Sequence, residues 1–225
     1  MMTLGVIRFD IITDYAPMFL KGAWLTLELT SVAVSVGTVL GLIISLCSLS
    51  PNKSLNWFGR VYVDLFRGTP LLVQIIIFHY AVLPSIGDFP TIVSGFVALS
   101  LNSAAYIAEI FRAGIQSIDR GQMEASRSLG MTYAQSMKYI IVPQAFKRVI
   151  PPLGNEFIAM LKDSSLVSVI SLQELAFTGT IVMGDTARVW EALLPVAALY
   201  LIMTLILSQF VAYLERRFGK SDIRA

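Results

Sequence analysis

Five apolar runs, near 19–48, 61–83, 91–115, 149–171 and 192–214, constrain this chain more than any other feature. A helix of about 20 apolar residues crosses roughly 30 Å of hydrocarbon, and each run is long enough to do so. Inside a bilayer every backbone N–H and C=O must be satisfied within the protein, which favours helices for runs of this length. Composition agrees, with 56% of residues hydrophobic and 14% charged, against about 25% charged in soluble domains. The expected fold class is all-α integral membrane, five transmembrane helices forming one domain over 1–225. The second and fourth runs are the least clean. The second holds Asp64 and the break RGTP, and the fourth holds Glu156, Lys162 and Asp163, so a four-span count stays open.

Lysine and arginine give the orientation, because cytoplasmic flanks are enriched in both. With five spans the termini lie on opposite sides. One side collects Lys53, Arg60, Arg67, Arg112, Arg120, Arg127, Lys138, Lys147, Arg148, Arg216, Arg217, Lys220 and Arg224. The other collects Arg8, Lys21 and Arg188, while Lys162 falls inside a span. Thirteen against three places the N-terminus outside and the C-terminus in the cytoplasm. Arg8, Asp10 and Asp14 precede the first run, a poor arrangement for a cleaved signal peptide.

The most polar long segment, MEASRSLGMTYAQSMKYIIVPQAF (123–146), lies between the third and fourth runs, in a cytoplasmic loop of about 116–145. It reads as helix. Asp119 suits an N-cap, and no proline interrupts the residues to Gly130. Gly130 suits the left-handed residue that closes a helix. Residues 132–141 resume a helical pattern until Pro143. Two short helices joined at a glycine make a compact knob, the alternative being an ordinary interfacial connection.

Charged groups inside spans are costly and mark function by default. Glu156 and Asp163 are seven residues apart, which brings two carboxylates within about 20° of one helix face. Pro151, Pro152 and Gly154 precede them, so the helix is expected to break or begin there and open to a polar cavity. A structural ion pair is the competing reading. Asn102, Tyr106 and Glu109 share a face of the third span, and Arg112 lies three past Glu109. The Glu109–Arg112 pair reads as structural or as part of a gate, and Asn102 as a ligand candidate nearer mid-membrane. In the second run Thr69 suits a cap for a helix starting at Pro70, whose free N–H groups favour a carboxylate. A plain proline kink is the other view. Together these groups suit a zwitterion, with a cationic group meeting Glu156 and Asp163 and an α-carboxylate meeting the Thr69 end.

Several classes are excluded. The chain has no GxxxxGK[ST] motif to cradle ATP phosphates, no GxSxG and no HExxH. One cysteine, Cys47, rules out an internal disulfide, and with one histidine, His79, it cannot build a usual zinc site. A net charge of +2 is too small to imply a nucleic-acid partner. An ion channel or ion-coupled carrier with an acidic cation path remains the alternative, although five spans are few and no inverted repeat is visible.

The loop adds a specific resemblance. Glu124-Ala125-Ser126, three residues, Gly130, nine residues, Ile140, one residue and Val142-Pro143 resemble the "EAA" loop of ABC importer permeases, with Ser126 for the second Ala and Val142 for Leu. FRGTPLLVQ (66–74), LNSAAYIAEIFRAGI (101–115), IDRGQMEAS (118–126) and PQAFKRVIPPLGNEFIAMLKDSSLVSVI (143–170) are similar to the polar amino acid subgroup: histidine, glutamine, arginine, cystine and opine permeases. The resemblance covers about 15–216. It implies a permease subunit in a bacterial inner membrane, not an enzyme and without a cofactor of its own. ATP is hydrolysed by partner ATPase subunits that receive the loop helix, with Glu124, Ala125, Ser126 and Gly130 as coupling residues. It further implies a second permease copy or homologue and an extracytoplasmic solute-binding protein. The implied substrate is a polar amino acid; the two facing carboxylates lean toward a basic one (arginine, lysine or histidine), glutamine staying open, and the polar span residues read above, Glu156, Asp163, Asn102 and Thr69, are the candidates to bind it.

Overall fold

The structure, a computed structural model, describes residues 7–219; Lys220 and Arg224 of the charge pattern lie outside the described residues. Among the described residues there are helices and no strand. In chain order these are α1 (Phe9–Leu49), α2 (Lys53–Gly68), α3 (Leu71–Ile77) with a π turn (Phe78–Val82) and α4 (Leu83–Ile86), α5 (Thr91–Gln116) and α6 (Arg120–Ser128). Then come α7 (Tyr133–Ser136) with a π turn (Met137–Ile141), α8 (Val142–Asp163) with a 3₁₀ turn (Ser164–Ile170), α9 (Leu175–Thr186) and α10 (Val189–Gly219).

Three of these helices, α1, α5 and α10, are by themselves long and apolar enough to cross a membrane. Five spans result if two bent pairs each count as one: Lys53–Gly68 with Leu71–Ile86, bent by 103°, and Tyr133–Ile170 with Leu175–Thr186, bent by 48°. The second expected span is thus two helices rather than one straight rod. Its break lies at Thr69, in an extended conformation (φ −121°, ψ 146°), as the residue before a proline prefers. Large apolar side chains stay exposed on the long helices, for example Val39 and Ile43 of α1 and Leu201, Leu205 and Phe210 of α10. Lipid tails solvate such surfaces without cost, whereas water would not.

Packing divides the chain into two compact units. One combines α1 up to Ala33 with Leu71–Leu99 and Ala159–Ile206. Its core holds Phe19, Ala23, Leu175, Val182, Ala192 and Val196. Gly22 lets α1 approach α9 closely: a Cβ there would lie 2.7 Å from Thr178 Oγ1 and 3.0 Å from Leu175 Cα. Glu174 caps α9 while fully buried. Its carboxylate accepts from Phe177 N at 2.7 Å, Ala176 N at 2.8 Å and the Tyr200 hydroxyl at 2.9 Å. A buried carboxylate persists only with such partners. Glu191 in the first turn of α10 accepts from Arg8 N at 3.1 Å and also pairs with Arg188, tying the start of α1 to the start of α10.

The other unit combines Val34–Pro70, Ser100–Ile158 and the chain from Leu207. Ile44, Val63 and Ala108 form one core cluster, and Ile118, Ile141 and Ala145 another. α1 and α5 touch through small residues. A Cβ on Gly37 would lie 2.9 Å from Ser103 Oγ, and one on Gly41 would lie 2.8 Å from the Ala104 carbonyl. Gly41→Val should therefore destabilise the purified protein by about 1–3 kcal/mol through overpacking. Thermal unfolding in detergent checks this; an unchanged midpoint would show that α1 and α5 can separate without cost.

One expectation is corrected here. The Pro151–Pro152–Leu153–Gly154 segment neither breaks nor starts a helix, because α8 runs through both prolines from Val142 to Asp163. Prolines remove two intrahelical donors, but tight contacts hold the helix on either side. Val149 Cγ2 lies 2.3 Å from where a Gly114 Cβ would be, and Val211 Cγ2 lies 2.5 Å from where a Gly154 Cβ would be. Tertiary packing against α5 and α10 overrides the local preference.

Candidate functional site

The loop between α5 and α8 is built as a knob. Asp119 caps α6, its carboxylate accepting from Gly121 N at 2.7 Å. The helix ends in a paired turn: Met131 N donates to Ser126 O at 3.2 Å and Gly130 N to Arg127 O at 3.0 Å. Gly130 has φ +87°, the left-handed region that side-chain-bearing residues avoid. Thr132 and Gln135 then cap α7 reciprocally, with Gln135 N donating to Thr132 Oγ1 at 3.3 Å and Thr132 N to Gln135 Oε1 at 2.8 Å.

The second arm of the knob does not stop at Pro143, contrary to expectation. α7 passes through the π turn at Met137–Ile141 directly into α8. Val142 N bonds Met137 O across that wider turn, and Pro143 follows at the change from π to α bonding, where the backbone hydrogen-bond pattern shifts register. The loop is thus one short helix followed by a continuous extension of α8.

Ile118, Ile141 and Ala145 close the knob's core, with Met123 and Met137 packed against it. A cleft of about 530 Å³ is lined by Ile115, Ile118, Met123, Tyr133, Met137 and Ile141. Leu129 at the tip is 85% exposed, and Tyr133 and Tyr139 are 63% and 60% exposed. Glu124 and Ala125 are exposed, whereas Ser126 is buried and donates to Met123 O at 2.9 Å.

The polar groups of the spans separate by position. Asn102 is buried on α5, and its amide lies 3.4 Å from Phe66 O in the last turns of α2. Glu109 accepts from Arg112 at 2.8 and 2.5 Å, and Arg112 also donates to Gln116 at 2.6 Å. The Arg67 guanidinium lies over the Tyr106 ring, 5.2 Å from its centre. Thr69 is exposed, and its hydroxyl donates back to Leu65 O at 2.8 Å, within α2. Glu156 is half-buried on α8, and Asp163, the last residue of that helix, is exposed.

Sequence reasoning passed over Glu174 and all of α9, leaving them in an outer loop. At 12 residues α9 is too short to register as a span. The signal was present as an acidic residue directly before the apolar run LAFTGTIVM, a helix-start pattern.

Comparison with known proteins places this architecture. The family described as "Binding-protein-dependent transport system inner membrane component" matches residues 37–220. A Bacillus subtilis protein described as a probable glutamine ABC transporter permease, GlnM, is 41% identical over 213 residues, covering 94% of this chain and 98% of that protein. The B. subtilis arginine transport system permease protein ArtQ is 37% identical over 207 residues, covering 92% of this chain and 94% of that protein. A crystal structure of an amino acid ABC transporter with histidines matches with a TM-score of 0.90 and 43% identity, over 95% of this chain and 100% of that one. The MetNI methionine ABC transporter shares the fold, with a TM-score of 0.78 at 20% identity over 91% of this chain and 98% of that one. Nearly the whole chain is accounted for by these matches, and the chain belongs to the family of inner membrane components of binding-protein-dependent transport systems.

Proposed function

We propose that this chain is the permease of an ATP-driven importer of polar amino acids, forming the substrate path and receiving the ATPase at its loop knob. The observation that carries the reading is the knob. A capped α6, a glycine-specific turn and an apolar exposed tip are presented on a segment that continues into α8. A rigid helix transmits displacement that a disordered loop would absorb. As an inner membrane component the chain is not itself the ATPase, and transport by its family depends on a binding protein. Glu124, Ala125, Ser126 and Gly130 are the proposed coupling residues, Ser126 and Gly130 through the shape of the turn.

The substrate is proposed to be glutamine or a basic amino acid, the class named for the relatives GlnM and ArtQ. Glu156 and Asp163, seven residues apart on α8, are the proposed contacts for its cationic group. Thr69, near the α2 break, is proposed to serve its carboxylate end, with Asn102 on α5 as a further substrate ligand. A second permease copy or homologue is proposed to complete the path. The test is ATP hydrolysis by the purified complex with its binding protein across a panel of amino acids. Selective stimulation by one polar class supports the reading; equal rates with every amino acid and with none would oppose it.

The proposed orientation puts the knob in the cytoplasm and the α4–α5 connection outside. In a Cys47→Ser background, Ser128→Cys should react with a membrane-impermeant thiol reagent only from the cytoplasmic side, and Gly87→Cys only from outside. Both positions are exposed. Labelling of both from one side would reject the topology.

A further inference from the structure

A polar cavity of about 430 Å³, lined by Arg60, Asp64, Arg67, Glu109 and Arg112 among others, has no part in the reading above. Three arginines and two carboxylates line it, so the cavity carries one excess positive charge. Glu109 is engaged by Arg112. The Arg67 guanidinium lies over the Tyr106 ring, 5.2 Å from its centre, and carries five N–H donors. A single excess charge matches a phosphodiester, which bears one negative charge.

The neighbouring face of α2 supplies the second observation. Arg60, Asp64 and Arg67 recur at i, i+4 and i+7 along one stripe of the helix. Trp57, Val61 and Leu65, at i, i+4 and i+8, form the adjoining stripe and are 67%, 41% and 57% exposed. An aromatic and aliphatic ridge beside a basic stripe is the pattern of a helix lying at a membrane interface. Basic pockets at that level bind anionic headgroups. A free anion accounts for the arginines but not for the ridge.

We propose that this cavity binds the phosphodiester headgroup of an anionic phospholipid, with the acyl chains lying along Trp57, Val61 and Leu65. Arg60 and Arg67 supply the attraction, and Asp64 moderates it.

The test uses the intact complex, purified in a neutral detergent and titrated with phosphatidylglycerol. Native mass spectrometry counts the retained lipid. Wild type should retain phosphatidylglycerol and not phosphatidylcholine, whose headgroup is neutral overall. Arg60→Gln/Arg67→Gln should weaken retention about thirtyfold, roughly fivefold per arginine. Arg60→Lys/Arg67→Lys should restore most of it. Asp64→Asn should strengthen retention about fivefold, which keeps the proposal testable even if the double glutamine variant fails to assemble. Equal retention by wild type and the glutamine variant, or unchanged retention in Asp64→Asn, would overturn the proposal. Inorganic phosphate competing as strongly as the lipid would also overturn it, by assigning the cavity to a soluble anion.

Discussion

Gly130→Pro should leave the chain inserted in the membrane and remove nearly all ATP-driven transport. Gly130 sits at φ +87°, while proline is fixed near −65°. The substitution also deletes the N–H that bonds Arg127 O at 3.0 Å. Both halves of the turn between α6 and α7 are then lost, at a cost of about 3 kcal/mol or more. The turn lies outside the long apolar helices, so insertion should survive. Gly130→Ala removes only the backbone freedom, at about 1–2 kcal/mol, and should keep part of the activity. Co-purification of the ATPase with each variant, measured beside uptake, separates lost docking from lost transmission. Wild-type uptake and co-purification in Gly130→Pro would dismiss the knob as the coupling element.

The second large effect concerns α8. Glu156→Ala/Asp163→Ala should weaken uptake by an amount equivalent to about 2–5 kcal/mol in substrate binding, the range for truncating one side of a close charge pair. Glu156→Gln should be milder, because shape and hydrogen bonding survive the loss of charge. The pattern over substrates carries the information. Loss confined to arginine, lysine and histidine means that the carboxylates read a cationic side chain. Uniform loss means that they read the α-ammonium. Unchanged uptake of every amino acid would return both residues to a structural role.

Local chemistry was legible in the sequence where a few neighbouring residues decide the outcome. The Asp119 cap and the left-handed Gly130 depend on backbone terms within a single turn. The Thr69–Pro70 break could be located for the same reason, but its 103° angle could not. Pro151 and Pro152 misled because their local preference is overridden from outside, by Val149 on Gly114 and Val211 on Gly154. Pro143 misled because it follows a π turn, at the change to α bonding, where the backbone hydrogen-bond pattern shifts register. Glu174 and Asn102 find partners 148 and 36 positions away, and no periodicity within a window reports such pairings.

The central claim is that this chain moves a polar amino acid with energy from a partner ATPase. Proteoliposomes holding the whole complex, with ATP on the ATPase side and binding protein with radiolabelled amino acid on the other, test it most directly. The account predicts uptake that requires both ATP and binding protein, and that persists when ionophores collapse the proton and sodium gradients. Uptake by vesicles containing only the permease, driven by an ion gradient and indifferent to ATP, would contradict it.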